Sequence, residues 1–224
     1  MANKEDENLI DVGKVYSQSE QFVEKNKKGL TIAVAVLIAV VAGYFGYTTY
    51  LDGQNTEAAE SIWKAEYYME IDSLDKAILG DGQYFGFEYI AENYSGTKTG
   101  KLANYYLGII YKEKGDYDLA IEYLKNANIK DEVLGAVALG NLGDIYVDLG
   151  EYQEALTYFN KAISHSDNSF TAPIYLNKAA ITYSVLENYN KAADYYQQIV
   201  DDYPNSPEAR EVKKNLARVK QLAG

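Results

Sequence analysis

Cysteine is absent from the 224-residue chain, histidine and tryptophan each occur once, and proline occurs three times. Without thiols there can be no disulfide, thiolate metal site, cysteine nucleophile or lipidated cysteine of the bacterial lipoprotein kind, although the absence fits any redox compartment. The single histidine, His165 in Ser164-His-Ser-Asp, has no second histidine to complete a site and is expected to be an exposed turn residue. No Asp-x-Asp-x-Asp-Gly calcium loop and no GxxxxGK(S/T) phosphate cradle occurs. No catalytic residue, cofactor, metal or small-molecule substrate is therefore expected. Basic residues are also scarce, 21 Lys and Arg against 33 Asp and Glu, for a net charge of -12. Such a surface repels phosphates, which excludes nucleic acid as a partner.

What is present is apolar and aromatic. Hydrophobic residues make up 47%, enough for a core, and the scarcity of proline leaves long helices uninterrupted. Tyrosine dominates the aromatics, with 23 Tyr against 6 Phe. A tyrosine can bury its ring while its hydroxyl reaches water or a backbone carbonyl. That suits stacked short helices whose core is never far from the surface.

Residues 29–51, GLTIAVAVLIAVVAGYFGYTTYL, carry no charge. A membrane-spanning helix needs about 20 apolar residues, so the length predicts a single transmembrane helix. Tyr44, Phe45, Tyr47 and Tyr50 gather at its distal end, where amphipathic rings favour the headgroup layer. A cleaved signal peptide would have a short basic start, a shorter apolar region and small residues at a cleavage site. Here a 28-residue charged tail precedes the run and bulky tyrosines stand at its end, so an uncleaved anchor is expected. Lys25, Lys27 and Lys28 lie just before the run and Asp52, Glu57 and Glu60 follow it. The positive-inside rule then keeps the N-terminal side in the cytoplasm and, in a bacterium, exports the rest to the periplasm. Glu5, Asp6, Glu7 and Glu24 dilute that signal. Thr31, Ala35, Ala39 and Gly43 recur every four residues and could let another transmembrane helix approach, although a run this rich in Ala and Gly produces such a stripe by composition alone.

Beyond the run the chain is periodic. Leu107-Gly108-x-x-Tyr111, Gly115, Tyr117, Ala120, Leu124 and Ala127 return 35 residues later as Leu142-Gly143-x-x-Tyr146, Gly150, Tyr152, Ala155, Phe159 and Ala162. A looser copy follows at a shift of 37, with Ala179-Ala180-x-x-Tyr183, Tyr189, Ala192, Tyr196 and Ile199, ending at Pro204. Each unit reads as a helix pair that cannot hide its apolar faces alone. Gly108, Gly143, Ala180 and Ala120, Ala155, Ala192 are small where helices must meet closely, and Tyr111, Tyr146 and Tyr183 fill the space between. Gly115 and Gly150 fall at the inter-helix turn, where a positive φ is needed. In the third copy Glu187-Asn188 replaces that glycine, with Asn expected to take its place.

Upstream, Phe87-Glu-Tyr-Ile90-Ala-Glu-Asn-Tyr94 echoes Tyr196-Gln-Gln-Ile199-Val-Asp-Asp-Tyr203, so a degenerate repeat is expected over about residues 56–98. Its first helix reads as one long stretch through residue 78, before Gly80, Gly82 and Gly86 break the pattern. Downstream, Ser206 and Pro207 open a helix with Glu208 and Glu211 early and Lys213, Lys214, Arg218 and Lys220 late, as the helix dipole prefers. The expected organisation is a cytoplasmic tail (1–28), a transmembrane helix (29–51), a linking helix with the degenerate repeat (52–99), regular repeats (100–206) and a capping helix (207–224). Residues 1–20 read as disordered or weakly helical, with Ile10, Val12 and Val15 too few for a core.

The order, spacing and residue sizes over residues 101–204 resemble the tetratricopeptide repeat family. The resemblance implies an all-α solenoid of helix-turn-helix hairpins whose first helices line a groove that receives protein segments. By register, that groove would include Tyr105, Ile109, Lys112 and Glu113, then Gly140, Asp144, Val147 and Asp148, then Asn177, Ile181 and Ser184. Asp144 and Asp148, like charges one turn apart, could mark a cation-binding surface, though exposed acid pairs are common. Tetratricopeptide co-chaperones that grip a C-terminal carboxylate place Lys, Asn and Arg in this groove. Lys112 alone cannot build such a clamp, so extended or basic, apolar segments are the expected occupants.

The whole layout also resembles the ancillary Sec-translocon subunit family of membrane-anchored periplasmic proteins. The carrying stretches are Gln21-Phe-Val-Glu-Lys-Asn-Lys-Lys28 and Ala58-Ala-Glu-Ser-Ile-Trp63-Lys-Ala65, which are short. That resemblance implies a scaffold or chaperone partner of the protein-export channel, with channel subunits, periplasmic chaperones or exported chains as partners. An envelope scaffold for a different secretion or assembly complex is the alternative, and an enzyme is not expected.

Overall fold

The computed structural model describes residues 12–165 and 168–224, so residues 1–11 of the expected tail lie outside the described residues. The chain divides into two compact units, residues 1–52 and 53–224. Helix α1 (Val12–Glu70) crosses that boundary.

In the first unit, residues 29–51 form helix with every side chain at least partly exposed; Leu37, Ile38 and Val40 are each 63% accessible. The helix is long and apolar enough to cross a membrane by length and composition. Two of its threonine hydroxyls bond back to the helix's own carbonyls, Thr31 Oγ1 donating to Lys27 O (2.8 Å) and Thr48 Oγ1 to Phe45 O (3.0 Å). A spanning helix must satisfy its polar groups internally in the same way, because lipid offers them no partners.

The described residues of the second unit form helices joined by turns and short loops. After the end of α1 come α2 (Leu74–Leu79), α3 (Phe87–Asn93), α4 (Lys98–Glu113), α5 (Tyr117–Ala127), α6 (Glu132–Asp148), α7 (Tyr152–His165), α8 (Ala172–Val185), α9 (Tyr189–Asp202) and α10 (Pro207–Leu222). Helices α4 and α5, α6 and α7, and α8 and α9 pair as hairpins, and α10 packs on α9. Ser206 caps α10 by accepting from Ala209 N (3.1 Å), as its sequence signature predicts.

One turn is built four times. Asp72, Gly115, Gly150 and Glu187 adopt φ of 58°, 77°, 75° and 57°. Each donates its N–H to the carbonyl three residues back, and the next residue donates to a tyrosine carbonyl five back: Tyr68, Tyr111, Tyr146 or Tyr183 (2.8–2.9 Å). These bonds satisfy the helix's last carbonyls and reverse the chain in three residues. The left-handed position in the third regular repeat is thus Glu187, not Asn188. Asn188 (φ -86°) instead caps α9, accepting from Lys191 N, as Asp116 caps α5 by accepting from Leu119 N. The long helix expected through residue 78 is likewise broken, at Asp72, because this turn intervenes.

The turns give the register of the degenerate repeat. Tyr68 stands 43 residues before Tyr111, but Phe87 stands only 37 before Leu124. Six extra residues therefore split its second helix into α2 and α3. Phe87, Leu124, Phe159 and Tyr196 occupy one register position and all are buried, as are Ile90, Ala127, Ala162 and Ile199 at another. The insertion is held by Asp81, whose Oδ1 accepts from Gln83 N (2.9 Å) and Tyr84 N (2.8 Å) while Oδ2 accepts from Tyr68 OH (2.6 Å).

Packing follows the small residues. A side chain at Gly108 would start 2.5 Å from Leu124 Cγ, and one at Gly143 would enter the Phe159 ring, so glycine lets each hairpin close. Beside it, Tyr111 stacks on Tyr123 (centroids 5.4 Å), Tyr146 on Tyr158 (5.3 Å), and Tyr183 meets Tyr195 at a tilt (5.2 Å). The hydroxyls then reach the preceding repeat at one register position: Tyr111 OH to Glu88 (3.0 Å), Tyr146 OH from Lys125 (3.5 Å) and Tyr195 OH to Asn160 (2.6 Å). These hydroxyls thus bond side chains of the preceding repeat, rather than only water or backbone.

Candidate functional site

The first helices of the regular repeats, α4, α6 and α8, bring the expected groove residues onto consecutive turns. Tyr105 and Ile109 are half-buried against Ala120, Leu124, Leu142 and Ile145. Burial pushes the Tyr105 hydroxyl above its ordinary pKa, so it stays protonated. Val147 packs on the next cluster, while Glu113 and Asp148 are exposed. Gly140 is not a contact surface: the Tyr175 ring fills the space a side chain there would need. Burial first, and the nearby Asp144 second, push the Tyr175 hydroxyl up to about 12.

The centre of the site is ionic. Lys178 Nζ lies 2.7 Å from both oxygens of Asp144, and Lys112 Nζ lies 3.6 Å from Oδ2 while donating to Asn141 Oδ1 at 2.9 Å. Asp144 therefore already holds two ammonium groups, and the expected Asp144 and Asp148 cation surface reduces to Asp148. Lys178 and Tyr175 were missed by sequence reasoning. The signal was present in part, because Lys178 sits 37 residues after Asn141, the repeat spacing of that copy. Lys178 does supply a second lysine beside Lys112, but with both on Asp144 the arrangement is an internal brace rather than a clamp.

At the α8 end, Asn177 Oδ1 is buried with no hydrogen-bond partner among the described residues. Ile181 (47% accessible) and Val185 (54%) stay open, and Ser184 Oγ donates back to Ala180 O. Ile181, Ser184 and Val185 line a cavity of about 210 Å³ with Tyr196, Asn215 and Arg218. His165 is no exposed turn residue: it closes α7, half-buried, its Nε2 3.0 Å from Asp131 O and packed on Gly135. Among the described residues no three His, Cys, Asp or Glu converge as a metal site. Thr31, Ala35, Ala39 and Gly43 all lie exposed on α1.

A stack of helix hairpins with one recurring turn, one recurring glycine contact and a shared first-helix face defines a solenoid of the tetratricopeptide type. The tetratricopeptide repeat family model matches residues 99–168 and again 135–205, and the chain carries those repeats. The chain is similar to several solved structures. The nearly identical TPR-like repeats of a kinesin-light-chain-type protein from Podosopora anserina superpose with a TM-score of 0.56, at 15% identity over 76% of this chain and 88% of that one. The first TPR of Spaghetti (RPAP3), bound to the HSP90 peptide SRMEEVD, gives 0.44 at 22% identity over 55% and 94%. The N-terminal domain of stress-induced protein-1 from C. elegans gives 0.47 at 13% identity over 57% and 97%. No curated protein matches the chain. Tetratricopeptide repeats in general mediate protein-protein interactions.

Proposed function

We propose that the chain is a membrane-anchored scaffold without enzymatic activity, whose repeat groove holds a segment of another protein. The supporting observation is the union, in one chain, of an uncovered, uncharged 23-residue run with tetratricopeptide repeats. In this reading residues 29–51 cross the inner membrane of a bacterium, and Lys25, Lys27 and Lys28 hold the N-terminal side in the cytoplasm. The repeats then lie in the periplasm. Tyr105, Ile109, Val147 and Ile181 offer apolar contacts to the segment, and Glu113 and Asp148 favour basic residues beside them. Lys112, Asp144, Asn177 and Ser184 shape the floor. Exported chains, membrane-anchored periplasmic chaperones or subunits of the protein-export channel are the partners implied by the layout, with Thr31, Ala35, Ala39 and Gly43 docking laterally on a membrane helix.

Two measurements test this. Co-purification of the full chain from mild detergent should recover export-channel subunits, and photocrosslinkers at Ala35 and Gly43 should reach them. Recovery of other membrane proteins and never the channel would replace the export reading with that of a different envelope complex. Ile181→Asp should weaken capture of the groove's client at least tenfold while leaving crosslinks from the membrane helix intact.

A further inference from the structure

The edge of the second unit where α4 and α6 begin and α5 ends carries a cavity of about 670 Å³, lined by Lys98, Lys101, Leu102, Ile129, Lys130 and Leu134. The three ion pairs among the described residues use Lys112, Lys114 and Lys178, so none of the cavity's lysines is paired in one. Asp131 also lines the cavity, its carboxylate accepting from Val133 N and Leu134 N as the cap of α6. Glu132 is the one exposed acid that follows it. On a chain of net charge -12, a cavity lining of three lysines against the one carboxylate of Asp131 forms a local reversal of sign.

The same edge is tied to the start of its unit. Asn55 Oδ1 accepts from Thr99 N (2.9 Å) and from Thr99 Oγ1 (3.1 Å), and Thr99 sits between Lys98 and Lys101. Asn55 follows Leu51, the last residue of the uncharged run, by four residues, which reach at most about 14 Å even fully extended. If residues 29–51 span a bilayer, covalent length alone keeps this lysine edge near the surface the chain leaves.

We propose that Lys98, Lys101 and Lys130 bind anionic lipid headgroups, holding the repeat unit to the membrane its own anchor enters. This rests on the anchor reading above. Lysines near an anionic surface each favour adherence, and three together amount to about a hundredfold. Leu102, Ile129 and Leu134 give the lysine stems an apolar bed from which the ammonium groups reach outward. An acidic protein segment is the competing occupant, and charge alone would suit it. The tether through Asn55 and Thr99 favours the lipid.

The test reconstitutes the full chain into phosphatidylcholine vesicles with and without phosphatidylglycerol and follows amide hydrogen exchange over residues 98–102 and 128–134. The expected result is exchange about tenfold slower in the anionic vesicles, with protection lost in the Lys98→Glu, Lys101→Glu, Lys130→Glu variant and at about 1 M salt, where the screening length falls to about 3 Å. A Lys213→Glu, Lys214→Glu variant, with a comparable charge change on α10, should keep the protection, and circular dichroism checks that both variants fold. Equal exchange in both vesicles, from chain that resists alkaline carbonate extraction, overturns the lipid site and leaves the anchor standing. Extraction by carbonate overturns the anchor and this site with it. Protection that appears only on adding a glutamate- and leucine-rich peptide assigns the cavity to an acidic protein segment and also overturns the proposal.

Discussion

The regular hairpins and the degenerate first one solve the same packing problem with different amounts of chain. In α6 and α7 the second helix runs unbroken from Tyr152 to His165. In the first repeat the equivalent helix is cut into α2 and α3 by six extra residues, yet its reversing turn and its buried Phe87 and Ile90 hold the common register. An insertion is tolerated where it bulges outward, because only the face turned to the neighbouring helices must stay in step. The bulge carries its own support: Asp81 pins three donors, and Lys64 Nζ sits 4.6 Å from the Tyr67 ring and 5.6 Å from the Tyr84 ring.

The sharpest way to break the comparison is to empty the same register position in both repeats. Phe159→Ala should cost about 3–5 kcal/mol in chemical denaturation, since its ring is fully buried between two hairpins. Phe87→Ala should instead speed hydrogen exchange mainly in α2 and α3, because each repeat contacts only its neighbours. Uniform acceleration out to α10 would contradict that nearest-neighbour picture.

A smaller effect is expected at the glycine contact. Gly143→Ala drives a methyl into the Phe159 ring and should lower stability by about 1–3 kcal/mol, measured by the same denaturation.

The turn offers a test of sign. Glu187 holds φ 57° where its counterpart Gly150 holds 75°. Glu187→Gly should stabilise by about 0.5–1 kcal/mol and Gly150→Ala should destabilise by a similar amount, read as opposite shifts in thermal midpoint. Shifts of equal sign would mean that the backbone strain is not what separates them.

The smallest effect belongs to the insertion. The Tyr68 hydroxyl first, then the Tyr84 and Gln83 amides, lower Asp81 from 3.8 to about 2, and the same bond pushes Tyr68 up to about 12. Because the folded pKa is the lower one, the stabilisation is complete above about pH 4 and is lost as pH falls from about 4 towards 2. Protection of the Gln83 and Tyr84 amides, taken relative to their intrinsic exchange rates, should fall across that window and show no such fall in Asp81→Asn, whereas the turns at Gly115 and Gly150 should not respond.

The regular repeats were readable because their signals are local. Gly115 and Gly150 mark turns, Gly108 and Gly143 mark contacts, and Ser206-Pro207 marks a helix start, all within a few residues of what they control. The degenerate repeat was only half readable. Phe87 and Ile90 announce α3, but a left-handed aspartate at residue 72 carries no signature that separates it from an aspartate inside a helix. The groove was readable in outline through register, while its ionic centre was not, since Lys178 and Asp144 are 34 residues apart and belong to different repeats.

By itself, then, the order of residues determined an uncharged helical run, a period of about three dozen residues and the helix pairs it encodes, because propensity, turn chemistry and apolar spacing act over short stretches of chain. Tertiary structure alone decided that Asp144 is consumed by Lys178, that the tyrosine hydroxyls stitch each repeat to the one before, and that three lysines line one cavity. Those outcomes depend on which side chains stacking brings within a few ångströms, a distance that spacing along the chain does not specify.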